Sequence, residues 1–179
     1  MPVQPLPVWQ SKLADYMKKT KEDQETNPVA HIQAWQDWID EVSKGIMLSG
    51  PYVSSGTAQK TMFAPLVFPK QGAPNTAALV YSNAWFAWYT GITWIPPPPV
   101  PPFSVISMVR SSPSGAAISK TKLLADLTKE YAKKSKDPKE DKLAQYFYDA
   151  TINAGVMITG IAIAGSPPPP LVIPQHKVL

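Results

Sequence analysis

Hydrophobic residues recur every three or four positions in two segments near the N-terminus, and this spacing predicts two amphipathic helices. The apolar face of the first helix comprises Trp9, Leu13, Tyr16 and Met17. The second helix is predicted to begin at Asn27-Pro28, because Asn is a common N-cap and Pro suits the first helical position. Its apolar face comprises Val29, Ile32, Trp35, Ile39, Val42 and Ile46. The charged residues 18–25 are expected to extend the first helix into solvent.

Three further helices are predicted downstream. The segment Ala77–Thr90 follows a plausible cap at Asn75-Thr76 and is apolar nearly all round. Such a helix lies in a large core, in a membrane or at an interface. Ser112-Pro113 and Asp137-Pro138 are the predicted starts of two more helices, of which the last also becomes apolar all round.

Three of these helices are predicted to end in the same way. A Gly-Ile pair follows each helix, and a proline stands a few residues later. Gly adopts the left-handed conformation that closes a helix, and a following Pro prevents the helix from resuming. We therefore expect a helix stop and then a short strand or extended arm after Gly45-Ile46, Gly91-Ile92 and Gly160-Ile161, with the prolines at Pro51, Pro96 and Pro167.

Segments of the chain that include these Gly-Ile pairs also show weak similarity to one another. Sliding the chain along itself places the lysine-rich residues 18–22 on 133–137 and Gly45 on Gly160. The segment Ala34-Trp-x-x-Trp38 also returns as Ala84-Trp-x-x-Trp88. The predicted fold is mainly α, a small helical bundle of repeated helix-pair units with short strands and extended proline-rich arms. Residues 1–110 and 111–179 would form two related units of one compact domain, each with a proline-rich arm.

Composition adds two constraints. The chain has 21 prolines but also 44% hydrophobic residues and six tryptophans, whereas disordered proline-rich chains are poor in aromatic residues. The prolines are therefore expected in ordered, extended arms. No cysteine is present, which excludes disulfides, thiolate metal sites and cysteine nucleophiles. The N-terminal residues lack the basic and apolar regions of a secretory signal.

Charge is distributed unevenly. Residues 42–125 contain no Asp or Glu, and residues 71–109 and 150–175 contain no formal charge at all. A soluble monomer needs polar cover over its whole surface, so long uncharged segments indicate surface that a neighbouring molecule buries.

The sequence offers no set of catalytic residues, so an enzyme is not expected, and neither a cofactor nor a metal is predicted. His31 and His176 lie far apart in sequence and have no evident partner. The carboxylates of Asp37, Asp40 and Glu41 have the spacing of a solvated helix face rather than a cation site. Ser114-Gly115 is expected to be a helix cap rather than an anion site, and no phosphate-binding glycine motif is present.

Nucleic acid and membrane are both disfavoured as primary partners. Arg110 is the only arginine, and the lysines near residue 133 alternate with acidic residues, whereas phosphate binding favours unopposed cations. The segment 77–95 has the length of a membrane span, about 20 residues, but it contains polar residues and Gly91. The second apolar segment, 143–165, contains Asp149.

The proline segments allow two interpretations. Pro96–Pro102 would form a polyproline II helix, which is a ligand for aromatic grooves of signalling domains. The interpretation we prefer is a stiff arm that loses little entropy when it lies along a neighbouring subunit. The residues expected to make inter-subunit contacts are Trp85, Trp88, Trp94, Ile95, Phe103, Leu171 and Ile173.

The two Ala-Trp-x-x-Trp segments and the three Gly-Ile exits together give a resemblance to a known class. The chain resembles the small virion structural proteins of tailed bacteriophages, particularly the mainly helical proteins of baseplate, neck or capsid-lattice assemblies. The resemblance implies a non-enzymatic structural subunit, with the tail, baseplate or neck favoured. Its partners would be other virion proteins and copies of itself, and it would be found in the virion and in the host cytoplasm during assembly. The alternatives are a membrane-active phage protein that uses segments 77–95 and 143–165, or a capsid decoration protein.

Overall fold

A computed structural model describes the backbone of residues 4–20, 28–43, 53–54, 74–92, 94–95, 104–108, 113–133, 140–154, 159–163 and 171–172. Side chains are described for residues 4–19, 33–39, 41–42, 76–92, 115–133 and 141–154. Within these residues there are five helices: α1 (Leu6–Thr20), α2 (Pro28–Ser43), α3 (Pro74–Thr90), α4 (Pro113–Tyr131) and α5 (Glu140–Asn153). The predicted mainly helical class is confirmed.

Proline marks the start of three helices. Pro28, Pro74 and Pro113 each occupy the first position of a helix, where the missing N–H group leaves no hydrogen bond unmade and the fixed φ angle favours the first turn. The starts of α2 and α4 agree with the sequence prediction. Helix α3 begins slightly before the predicted cap at Asn75-Thr76, because Pro74 is already compatible with the helix.

The predicted helix stop at Gly91 is confirmed. Helix α3 ends at Thr90, and the Gly91 N–H donates to the carbonyl oxygens of Ala87 at 3.0 Å and Trp88 at 3.1 Å. The next N–H, that of Ile92, donates to the Tyr89 carbonyl at 3.3 Å. These bonds satisfy carbonyl groups that the end of a helix would otherwise leave unpaired.

The predicted helix stop at Gly160 is wrong. Helix α5 ends at Asn153, and Gly160 lies inside a strand, where it is opposite Met108 on one side and Leu171 on the other. Thr159, Ile161 and Ile163 alternate along this strand, and β-branched residues favour extended backbone. Gly45 lies outside the described residues. The described part of α1 ends at Thr20, so the predicted continuation to residue 25 also lies outside them.

Five short strands accompany the helices in the described backbone: β1 (Val53–Ser54), β2 (Trp94–Ile95), β3 (Ser104–Met108), β4 (Thr159–Ile163) and β5 (Leu171–Val172). Strands β1 and β2 are antiparallel, with Val53 opposite Ile95. Strands β3, β4 and β5 form an antiparallel sheet in that order, with a register shift between Val105 and Ser107.

The helices form a ring around one hydrophobic core. Helix α1 packs between α2 and α5, and α4 packs between α5 and α3. The ring closes where Trp35 of α2 meets Tyr81 of α3, with ring centroids 4.9 Å apart. Every described helix therefore contributes to the same core, and the largest fully buried side chains in it are Trp9, Trp35, Trp38, Trp85, Trp88, Tyr89 and Phe147.

Candidate functional site

The centre of the bundle is an aromatic junction, formed by Trp35, Trp38, Tyr81 and Phe147. The Trp35 ring lies 5.4 Å from Trp38, 4.9 Å from Tyr81 and 5.5 Å from Phe147, measured between ring centroids. Trp38 also packs edge-on against Phe147 at 5.8 Å. Edge-to-face and tilted pairs at these distances stabilise a core beyond their buried area. The junction thus joins α2, α3 and α5.

Helix α1 is attached to this junction through Trp9. The Trp9 ring packs edge-on against Trp38 at 5.6 Å and against Tyr148 at 5.5 Å. The Trp38 indole N–H donates to the Trp9 carbonyl oxygen at 3.1 Å. A buried indole N–H needs an acceptor, and this hydrogen bond fixes the position of α1 relative to α2.

Trp85 and Trp88 belong to the core of this chain. Both indole rings are fully buried among the five helices. The Trp85 indole N–H donates to the Thr151 hydroxyl at 3.1 Å, and that hydroxyl donates to the Phe147 carbonyl at 2.8 Å. The expectation that these two tryptophans make inter-subunit contacts therefore does not fit the structure, because a fully buried ring has no surface to offer a neighbour. Helix α3 is apolar because part of it lies in this core.

The other five residues expected at inter-subunit contacts have side chains outside the described residues: Trp94, Ile95, Phe103, Leu171 and Ile173. Their role as anchors stays a prediction.

Tyr81 and Tyr131 connect the junction to α4. Their rings are stacked with centroids 6.0 Å apart. Burial raises the pKa of both phenols well above the ordinary value, and for Tyr81 the neighbouring Tyr131 adds to the rise. Both side chains therefore remain neutral hydrogen-bonding groups at neutral pH.

Replacing Tyr89 with Phe is expected to raise the free energy of unfolding by about 1 kcal/mol at neutral pH, because a buried hydroxyl without a partner destabilises the folded state. Among the described residues the buried Tyr89 hydroxyl has no hydrogen-bond partner, and burial raises the pKa of this phenol above its ordinary value of about 10. Above pH 10 the unfolded phenol ionises and the folded one does not, so the wild type loses stability as pH rises and the Phe variant loses less. Urea unfolding at pH 7 and pH 10.5 measures both effects; a less stable variant would contradict the expectation.

Two glutamates of the bundle, Glu41 and Glu130, are held by structural partners. Glu41 accepts hydrogen bonds from Lys12 and, at 2.8 Å, from the Tyr16 hydroxyl. The bond from Lys12 is the main reason that the pKa of Glu41 lies below its ordinary value. Glu130 is 4% exposed, pairs with Lys133 and accepts a long 3.4 Å bond from the Tyr146 hydroxyl. A buried carboxylate with such partners has a structural explanation.

The other residues weighed for chemistry do not form a site within the described residues. The Asp37 carboxylate accepts a 2.7 Å bond from Gln33, one turn earlier on α2. The side chains of His31, Asp40, Ser114 and His176 lie outside the described residues. Where side chains are described, no group of three or more His, Asp and Glu residues is placed to hold a metal ion. Of the described helices, none combines the length and the apolar character needed to cross a membrane.

Sequence reasoning did not single out the outward side of α3, which we call the α3 outer face. It comprises exposed Thr76, Leu79, Asn83 and Ala87 and half-buried Val80 and Thr90. Leu79 is 47% exposed, which makes it one of two large hydrophobic side chains exposed in the described bundle. Beside this face the Lys120 ammonium group of α4 lies 5.0 Å from the centre of the Phe86 ring. Four turns of helix thus present an exposed face without a charge of its own.

Comparison of the chain with known protein families, with curated proteins and with solved structures finds no match in any of the three.

Proposed function

We propose that the chain is a non-enzymatic structural subunit of a bacteriophage virion, with the tail, baseplate or neck as its location. The observation that carries this proposal is the uncharged α3 outer face on a bundle in which the aromatic junction joins α2, α3 and α5, and Trp9 and Tyr131 attach α1 and α4 to it. Solvated helix faces ordinarily carry charged residues, whereas the centres of protein interfaces are depleted of them. An uncharged outer face on a well-packed bundle is therefore suited to contact with a neighbouring subunit.

In this proposal the bundle is a rigid platform and the proline-rich segments are arms. The first arm begins at β2, which follows Gly91-Ile92, and the second begins after β4, which contains Gly160-Ile161. The two helix-pair units thus each supply one arm. Proline restricts the backbone before binding, so an arm loses little entropy when it lies along a neighbour. Trp94, Ile95 and Phe103 of the first arm, and Leu171 and Ile173 of the second, are the proposed anchors. Copies of the chain and other virion proteins are the partners.

The test is a double variant, Trp94→Ala with Phe103→Ala. We expect it to reduce the assembly of the protein into large particles, measured by sedimentation velocity, while helix content measured by circular dichroism remains that of the wild type. Aromatic anchors in a partner's pocket typically contribute 2 kcal/mol or more, about a thirtyfold change in affinity.

The matched control is Ile118→Ala, which removes an exposed hydrophobic side chain from α4 without touching an arm. Equal losses of assembly and helix content in the double variant would place Trp94 and Phe103 in the core and contradict the anchor role. A chain that partitions into detergent and remains monomeric there would favour the membrane-active alternative instead.

A further inference from the structure

We propose that the helix bundle opens at the seam between α2 and α3 while its helices stay folded. In this movement the α1–α2 pair swings away from α3 about the contact of α1 with α5. The contact between the Trp35 and Tyr81 rings closes the seam. This opening is a property of the fold and does not depend on the function proposed above.

The seam differs from the other contacts of the ring. Among the described helices, α2 and α3 are the only neighbours in the ring that do not pack closely along each other. Helix α2 packs along α1, α3 packs along α4, and α5 packs against both α1 and α4. Helices α2 and α3 instead meet through large side chains, with the Trp35 and Tyr81 ring centroids 4.9 Å apart. Regions with fewer packing contacts open at a lower free energy than the rest of a protein.

The α1–α2 pair is held together by its own contacts. The Trp38 indole N–H of α2 donates to the Trp9 carbonyl oxygen of α1 at 3.1 Å. Glu41 of α2 accepts hydrogen bonds from Lys12 and, at 2.8 Å, from the Tyr16 hydroxyl. These hydrogen bonds do not cross the seam, so they persist when it opens. The pair can therefore move as one body.

Helices α3, α4 and α5 form the second body. Helix α3 packs closely along α4, and the Tyr81 ring stacks on the Tyr131 ring of α4 with centroids 6.0 Å apart. The Trp85 indole N–H of α3 donates to the Thr151 hydroxyl of α5 at 3.1 Å. Tyr81 is thus held by the second body, whereas Trp35 belongs to the first.

Opening changes the surroundings of one indole N–H group and preserves those of two others. The Trp35 ring would separate from Tyr81 and from Phe147 of α5, whose ring centroid is 5.5 Å away. The Trp35 side chain, 2% exposed in the closed bundle, would then reach water. The N–H groups of Trp38 and Trp85 would keep their hydrogen bonds, because each bond lies within one body. This difference distinguishes opening from unfolding.

Exchange of these three indole protons with deuterium in the full chain tests the proposal. NMR resolves the indole signals, and replacing one tryptophan at a time with Phe assigns them. We expect the Trp35 N–H to exchange at least about tenfold faster than the other two, because it exchanges through an opening of lower free energy than unfolding. Its rate should change little at low urea concentrations, since opening exposes less surface than unfolding, while the Trp38 and Trp85 rates should rise together.

Two variants separate the seam from overall stability. Tyr81→Leu keeps a buried apolar side chain but removes the ring that closes the seam, so we expect all three indole protons to exchange faster. The matched control is Leu123→Ala, at a buried position of α4. It should destabilise the whole bundle and speed up exchange at Trp38 and Trp85, but leave the Trp35 rate nearly unchanged.

Three results would overturn the proposal. Equal exchange rates with equal urea dependence at the three indoles would show that the bundle opens only by unfolding. A Leu123→Ala variant that speeds up exchange at Trp35 as much as at Trp38 and Trp85 would show the same. Fast exchange at Trp38 that does not respond to urea would mean that α2 leaves α1, which contradicts the movement of the pair as one body.

Discussion

Replacing Trp35 with Ala is expected to lower the free energy of unfolding by about 3–5 kcal/mol, the range for removing a large aromatic side chain from a core. Trp35 is 2% exposed and packs against Trp38, Tyr81 and Phe147. The change would leave a cavity where three helices meet, and these helices cannot all move inward at once. Since a domain is typically stable by about 5–15 kcal/mol, this single change would remove a large share of the total.

Urea unfolding followed by circular dichroism measures the loss. The matched control is Ile118→Ala, because Ile118 is a large hydrophobic residue on α4 that is 74% exposed. That change is expected to alter stability by no more than about 0.5 kcal/mol. If the two variants were equally stable, Trp35 would not occupy the centre of the bundle.

Replacing Thr151 with Val is expected to lower the free energy of unfolding by about 1–3 kcal/mol, the cost of leaving a buried polar group without its partner. Thr151 is fully buried on α5, and its hydroxyl is the acceptor for the Trp85 indole N–H at 3.1 Å. Valine has nearly the same shape as threonine, so the change leaves the packing almost intact. It removes the hydrogen bond between α3 and α5 and the bond from the Thr151 hydroxyl to the Phe147 carbonyl.

Two further variants isolate the hydrogen bond. Thr151→Ser keeps the hydroxyl and loses only a methyl group, so we expect it to be more stable than Thr151→Val. In the double variant Trp85→Phe with Thr151→Val, the orphaned N–H group is also removed. The loss from Thr151→Val should therefore be smaller in the Trp85→Phe background than in the wild type. Equal losses in both backgrounds would show that the two side chains are not coupled.

Local signals in the sequence predicted much of the helical part of the fold. Pro28 and Pro113 mark helix starts because proline's geometry acts within the first turn, and Gly91 marks a helix end because glycine closes the last one. The Gly-Ile pair at Gly160 carries the same local signal but lies in β4, between β3 and β5. Pairing with distant strands decides that conformation, and a local pattern does not contain it.

The candidate site was harder to predict from the sequence. Helix α3 is apolar nearly all round, so its sequence does not say which side enters the core. Trp85 and Trp88 were expected to contact a neighbour because their helix is apolar nearly all round and lies in an uncharged segment, but they lie inside the bundle. The smaller residues Asn83 and Ala87 lie outside. The available signal in the sequence was a set of uncharged residues spaced alternately by three and four positions. The prediction followed the bulkier aromatic residues on the same helix instead.

The position of α1 affects when the protein can fold during synthesis. Helix α1 packs against α5, and the Gln10 side-chain amide donates to the Asp141 carbonyl at 3.2 Å across 131 residues of sequence. Helix α1 is translated before α5, so the part of its apolar face that packs against α5 stays uncovered until α5 has followed. Until then the nascent chain exposes apolar surface of the kind that chaperones bind. The bundle closes only after α5 has been translated, so neighbouring nascent chains can associate through this surface before it is covered.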